Sequence, residues 1–152
     1  MRNHLYIQVV TDWQAAIQRG QPLTEARVRW LIAQGEGERI EFKQSLTTQL
    51  RRGAIETLAA FAAKNGGHVL FGVRNDGTVC GVQIGQNSLE KLAGEILANT
   101  SPSLTAPYLR IEQFHFDEEI VLIVSVDAVH RECRAYGRIC QRVGRRTQRR
   151  VT

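Results

Sequence analysis

Glu36 and Glu41 stand at either end of a short run, Glu-Gly-Glu-Arg-Ile-Glu (36–41), and Asn75-Asp76-Gly77 follows downstream. Clustered carboxylates hold a hard divalent cation through oxygen ligands, and such a cation can activate water for phosphodiester cleavage. Glu36, Glu41 and either Asn75 or Asp76 could converge into such a cluster. Asn75 offers a neutral amide oxygen at the same turn, which ligates without adding charge and so lowers affinity. Lys43 shares a strand face with Glu41 and can pair with that acid or with a phosphate. The plainer reading of Glu41 and Lys43 is a polar strand face held by ion pairs.

For these groups to converge, particular elements must position them. Ile40 and Phe42 alternate with Glu41 and Lys43, which predicts a strand with one wet face. Residues 48–64 follow as a long amphipathic helix, with Ile55, Leu58, Ala59 and Ala62 on one face and small residues suited to close packing on a sheet. Asn65-Gly66-Gly67 ends it. Residues 69–73 read as a buried strand, Asn75-Asp76-Gly77 as a tight turn, and residues 78–82 as the returning antiparallel strand. Asn87 with Glu90 predicts a capping box for a helix through Ala98. Pro102 and Pro107 bracket a loop, residues 108–116 and 119–126 pair around Asp117-Glu118, and residues 138–143 form a last strand before an arginine tail. Ahead of all this, residues 11–34 read as two short helices broken at Gly20-Gln21-Pro22. Trp13, Ile17, Val28, Leu31 and Ile32 recur there at helical spacing, with Thr24 as an N-cap. The expected organisation is a helical prefix (1–34) and one α+β domain (35–152), a mixed sheet packed with helices in the order β-α-β-β-α-β-β-β.

The chain has 152 residues, 43% hydrophobic and 23% charged, enough for one packed domain. It contains no apolar run of membrane-spanning length, and residues 1–10 lack a signal-peptide pattern, so a cytoplasmic protein without a membrane partner is expected. Three cysteines (Cys80, Cys133, Cys140) are too few for a disulfide framework. A zinc site from His130, Cys133 and Cys140, with His115 or Cys80 as fourth ligand, is the metal alternative to buried or free thiols, but no second paired knuckle accompanies it.

The net charge of +5 is unevenly spread: residues 131–152 hold eight arginines against one acid, Glu132, for a net of +7, which leaves the remainder at −2. Arginine accounts for 17 of the 20 basic residues, a choice suited to bidentate phosphate contacts. Nucleic-acid contacts are expected from Lys43, Arg51, Arg52, Lys64 and Arg74, and from Arg138, Arg142, Arg145, Arg146 and Arg149 in the tail. Arg51 and Arg52 equally suit a solvated helix face. Aromatic content is only 7%, and Tyr136 is the single stacking candidate in the tail, so duplex or structured nucleic acid is favoured over single strands. Gly66-Gly67 precedes a strand and lacks the Gly-Lys-Ser/Thr ending of a phosphate loop. Ser45 has no triad spacing, and His68 reads as a satisfied or exposed histidine at a strand start.

Five short blocks occur in order: Glu-x-x-x-x-Glu-Phe-Lys (36–43), Ala-Phe-Ala (60–62), Gly-Gly (66–67), Gly-Val (72–73) and the turn glycine Gly77. Gly81-Val82 and Arg142-Val143-Gly144 follow. In this order they resemble the Schlafen-type AlbA domain family over about residues 31–149. The resemblance implies a nucleic-acid-binding α+β domain, in bacteria often the N-terminal part of a transcriptional regulator or of a relative of an ATP-dependent DNA helicase. For animal Schlafen proteins it implies a divalent-metal endoribonuclease acting on structured RNA such as tRNA, through two glutamates and an aspartate. Carried over by motif, the glutamates are Glu36 and Glu41. The third acid belongs two residues after Val73, where this chain has Asn75 with Asp76 beside it. The family's asparagine after Ala-Phe-Ala is replaced by Ala63.

The leading expectation is therefore a nucleic-acid-binding domain, possessing C-terminal partner domains in a longer chain. The enzyme alternative is an Mg- or Mn-dependent endonuclease. The third is a protein-interaction module that homo-oligomerises or meets an acidic partner through its arginines.

Overall fold

The period-2 alternation of Ile40-Glu41-Phe42-Lys43 sets the two faces of the main sheet. The computed structural model describes residues 4–6 and 23–150. In it, β2 (Ile40–Lys43) runs parallel to β3 (Gly67–Phe71), and β3 pairs antiparallel with β6 (Glu119–Val126). β6 pairs with β5 (Leu109–Phe116), and β5 with the short β1 (His4–Tyr6), giving the order β1-β5-β6-β3-β2. Ile40 and Phe42 join Leu70, Phe114 and Ile123 on one face. Helix α1 (Glu25–Gln34) covers that face with Val28 and Leu31. Thr24 caps α1 as expected, accepting a hydrogen bond from the Arg27 amide at 3.1 Å.

On the opposite face lie α2 (Thr48–Ala63) and α3 (Ser88–Asn99). A second, antiparallel sheet has the order β4-β7-β8-β9, built from Thr100–Ser101, Arg134–Ala135, Arg138–Val143 and Arg146–Arg149. Helix α2 contacts both sheets, and its residues share one core with Val69 and Phe71 of the first and Ala135 and Cys140 of the second. A helix covered on two sides needs small residues. Ala54, Ala59, Ala60 and Ala62 are each almost fully buried. Close approach also explains Gly66-Gly67. Gly66 has φ +77° and a Cβ there would lie 2.7 Å from the Val126 carbonyl; one on Gly67 would lie 2.6 Å from the Phe61 ring.

Four sequence expectations change. Residues 78–82 do not form a strand: only Val73 and Val79 bridge, because the Cys80 and Gly81 amides both turn back to the Gly72 carbonyl. Asn87 makes no capping box, since it takes a left-handed φ of 70° and its side chain caps nothing. Instead, Ser88 Oγ accepts from the Gly85 amide. The arginine tail is ordered as β9, hairpinned onto β8 through Gly144 at φ +59°. The short strands β1, β4 and β7 were not foreseen. The first helix of the expected prefix, with Trp13 and Ile17, lies outside the described residues.

One buried side chain joins the two sheets. Arg142 of β8 has a side chain only 1% exposed. Its Nη2 donates to the Gly37 carbonyl (2.8 Å) and the Ile40 carbonyl (3.1 Å), and its Nε also reaches Gly37 (3.1 Å). Nη1 donates to Thr147 Oγ1 (2.9 Å), which is 2.7 Å from Thr57 Oγ1 on α2. Glu41 Oε1 supplies the countercharge at 2.9 Å, and the guanidinium sits 5.1 Å from the Phe61 ring centroid. Removing it leaves the half-buried Glu41 carboxylate with Lys43 alone and two carbonyls without their donor. Arg142→Ala should therefore lower unfolding free energy by about 3–5 kcal/mol in urea titrations, and Arg142→Lys by less, because the charge remains but the fork does not.

Among the described residues Glu112 of β5 is the other buried ionisable side chain, on the α1 face, accepting the Leu23 amide at 3.0 Å. Burial pushes its carboxyl up to about 7, against the opposing pull of that hydrogen bond and of Arg110. An acid whose folded value is raised holds its proton longer in the native state, so stability falls as pH rises from the unfolded value near 4.5 to about 7. We expect a loss of at most about 3 kcal/mol across that window, visible in pH-dependent urea midpoints and flattened in Glu112→Gln.

Candidate nucleic-acid interface

The alternation that buries Ile40 and Phe42 turns Glu41 and Lys43 toward α2. Lys43 has room there because α2 carries Gly53, where a Cβ would lie 3.2 Å from the Lys43 ammonium. A cavity of about 420 Å³ opens beside this strand, lined by Glu36, Glu41, Lys43, Asn75 and Arg145 among others. The structure thus gathers both glutamates and Asn75 at one place, from the lead-in to β2, from β2 itself and from the turn after β3. Arg145 reaches the same cavity from the β8–β9 hairpin.

The acids are already committed within the protein. Glu36 Oε2 accepts the Phe42 amide at 3.0 Å. Glu41 is held between Arg142 (2.9 Å) and Lys43 (3.1 Å). Asp76 does not join them: its Oδ1 accepts the Thr78 amide at 2.9 Å, which holds its exposed carboxyl below the usual range. Two carboxylates therefore face three cations, Arg142, Lys43 and Arg145. Among the described residues no three His, Cys, Asp or Glu side chains gather as ligands for a metal ion. Neither the Glu36, Glu41 and Asp76 set nor the His130, Cys133 and Cys140 set is such a group. Asn75 adds no charge in place of the third acid, so the donor set does not fit Mg or Mn. Cys133 and Cys140 are buried, with thiols pushed up by desolvation and donating to the Arg131 and Arg138 carbonyls.

The basic residues divide sharply. Arg142 is internal, as described, and Arg51 is half-buried, donating to Glu95 (2.8 Å) and the Leu46 carbonyl (2.6 Å), so it ties α2 to α3. Neither is placed to meet a phosphate. Arg52 is exposed and stacks 3.9 Å from the Tyr136 ring centroid, whose hydroxyl is buried. Arg74 is exposed at the turn, Lys64 stands 3.8 Å from Glu38, and Arg149 stands 3.8 Å from Glu56. Arg138, Arg145 and Arg146 are exposed on the β8–β9 hairpin. Next to them Val143 is 55% exposed, an apolar side chain at a basic tip.

Because Glu41 neutralises Arg142, its replacement damages the fold before it reports on chemistry. Glu41→Ala should cost about 3 kcal/mol of stability by leaving a buried guanidinium uncompensated, and the same drop in thermal midpoint should appear with and without divalent cations.

Comparison with known proteins gives the family. The sequence matches the family Schlafen, AlbA_2 over residues 36–151. Among solved structures it is similar to the DIP2311 protein from Corynebacterium diphtheriae, with a TM-score of 0.60 and 16% identity. That likeness covers 82% of this chain and 26% of the other, and shows the shared fold. The chain thus spans about a quarter of that relative's length. No curated protein matches the sequence. No helix among the described residues is long and apolar enough to cross a membrane. Because that match takes in residues 36–151, well over half of its length, the chain belongs to the Schlafen AlbA_2 family.

Proposed function

We propose that this domain binds duplex DNA or structured RNA through the β8–β9 hairpin and the rim of the cavity beneath it. The observation that carries the reading is the placement of Arg145 and Arg146, both exposed, on a hairpin anchored from below by Arg142. Arg145 also lines the cavity with Lys43, so phosphate-directed donors surround carboxylates that are internally neutralised. Family membership fits a nucleic-acid-related role. Arg138, Arg52, Arg74, Lys64 and Arg149 are exposed as well and are proposed as further phosphate contacts. Contacts of this type fix position and affinity without reading sequence. The great length of the DIP2311 protein relative to this chain suits a further part of the reading, that the domain serves as the N-terminal portion of a longer cytoplasmic regulator or helicase-related protein.

Gel shifts with a short DNA duplex and with tRNA, in EDTA to remove divalent cations, test the proposal. Binding should weaken steeply with salt, and Arg145→Ala with Arg146→Ala together should flatten the log–log salt slope by about 2. Failure to retain either nucleic acid at about 50 mM salt would sink it.

A further inference from the structure

A second cleft, of about 350 Å³, lies on the other side of the segment that leads into β2. Its walls come from α1, which supplies Arg27 and Trp30, from Arg39 before β2, and from His68 of β3. Trp30 and Arg27 precede the residues matched to the family, so α1 builds a wall that the family region does not supply. Trp30 is 47% exposed, unusually open for an indole, and the Arg27 guanidinium lies 4.2 Å from its ring centroid. One aromatic face is thus backed by a cation while the ring still opens to solvent, a platform suited to a second planar group.

His68 shows the field inside this cleft. Burial, then Arg110, Arg39 and Arg27 in that order, push its imidazole down to about 4, so it is neutral at physiological pH. Its Nδ1 is engaged with Ser125 Oγ at 2.7 Å, so a ligand would meet Nε2. Two acids also line the cleft, but Glu36 is occupied by the Phe42 amide and Glu38 lies 3.8 Å from Lys64. The cleft therefore combines an aromatic platform, two arginines and a neutral hydrogen-bonding imidazole, in a volume proper to a small-molecule site.

We infer that this cleft binds a nucleoside phosphate, free or as one unit of a strand, with its base against Trp30 and its phosphate between Arg27 and Arg39. Arginine's planar fork matches a phosphate, and the indole supplies stacking that accepts any base. The inference does not rest on the hairpin surface, which shares with the cleft only the segment around Glu36.

Calorimetric titration of the whole protein tests it, with AMP, adenosine, inorganic phosphate and a six-nucleotide oligodeoxyadenylate as probes. AMP should bind saturably, and adenosine and phosphate each at least about tenfold more weakly, since each offers half of the recognised group. Trp30→Ala and Arg39→Ala change exposed residues and should each weaken AMP about tenfold, while Arg145→Ala leaves it unchanged. An oligonucleotide at least about tenfold tighter than AMP, and dependent on Trp30, assigns the site to a strand; equal affinity assigns it to a free nucleotide. The inference is overturned if AMP and the oligonucleotide show no saturable binding, or if their binding survives both Trp30→Ala and Arg39→Ala. Loss of duplex binding in the Arg145 and Arg146 variants would leave this result standing, so the two readings fail separately.

Discussion

The burial of one guanidinium organises the rest of this molecule. Arg142 must place its donors away from water, and it meets the Gly37 carbonyl before β2, the Ile40 carbonyl and Glu41 carboxylate of β2, and a hydroxyl on its own hairpin. Desolvating an arginine is costly, so such a residue is tolerated only where nearly every donor is matched. The consequence is geometric. Glu41, though it lines the cavity, cannot give up Arg142 for a ligand there without leaving that guanidinium uncompensated, and the start of β2 cannot move without losing the acceptors at Gly37 and Ile40. The rigidity of the candidate interface, including the hairpin that carries Arg145, descends from this one matched charge.

The same constraint redistributes the chain's charge into two populations. Arg142 and Arg51 act as internal ties, whereas Arg138, Arg145 and Arg146 face solvent on a single antiparallel ribbon. A phosphate approaching the ribbon meets donors that have few competing acids, while a cation approaching the cavity meets carboxylates already bonded to ammonium and guanidinium groups. Electrostatics thus supports the proposed anion recognition at a place where motif alone suggests metal binding.

Much of the fold was legible because burial imposes periodicity. The alternation of Ile40-Glu41-Phe42-Lys43, the small-residue face of α2, and the paired runs now seen as β5 and β6 all follow from faces that must be apolar. The return strand after Gly77 and the capping box at Asn87 failed for a common reason: left-handed backbone at Gly81 and Asn87 redirects the chain where side-chain pattern is silent. At the site, the convergence of Glu36, Glu41 and Asn75 could be read from ordered motifs. Which arginine of eight would be buried could not, because charge composition carries no depth. The one hint was phase, since Arg142 stands two residues after Cys140 and shares its inward face. The cleft beside Trp30 is not legible in the sequence because only the packing of α1 against the lead-in to β2 and against His68 of β3 brings its parts together.

The pairing of Arg142 with Gly37 also bears on how the domain is made. These residues are 105 positions apart, and β2 lies beside β3 only through a parallel crossover, so the contacts that close the cavity are among the most non-local in the chain. Such contacts form late, after shorter loops have closed. During synthesis, the carboxylates of Glu36 and Glu41 are translated long before their arginine, and they remain solvated until the β8–β9 hairpin has left the ribosome. A nascent domain lacking that hairpin has its central helix uncovered on the side of Thr57, which Thr147 meets in the folded domain, and it would present that side to whatever chaperone or neighbour it meets.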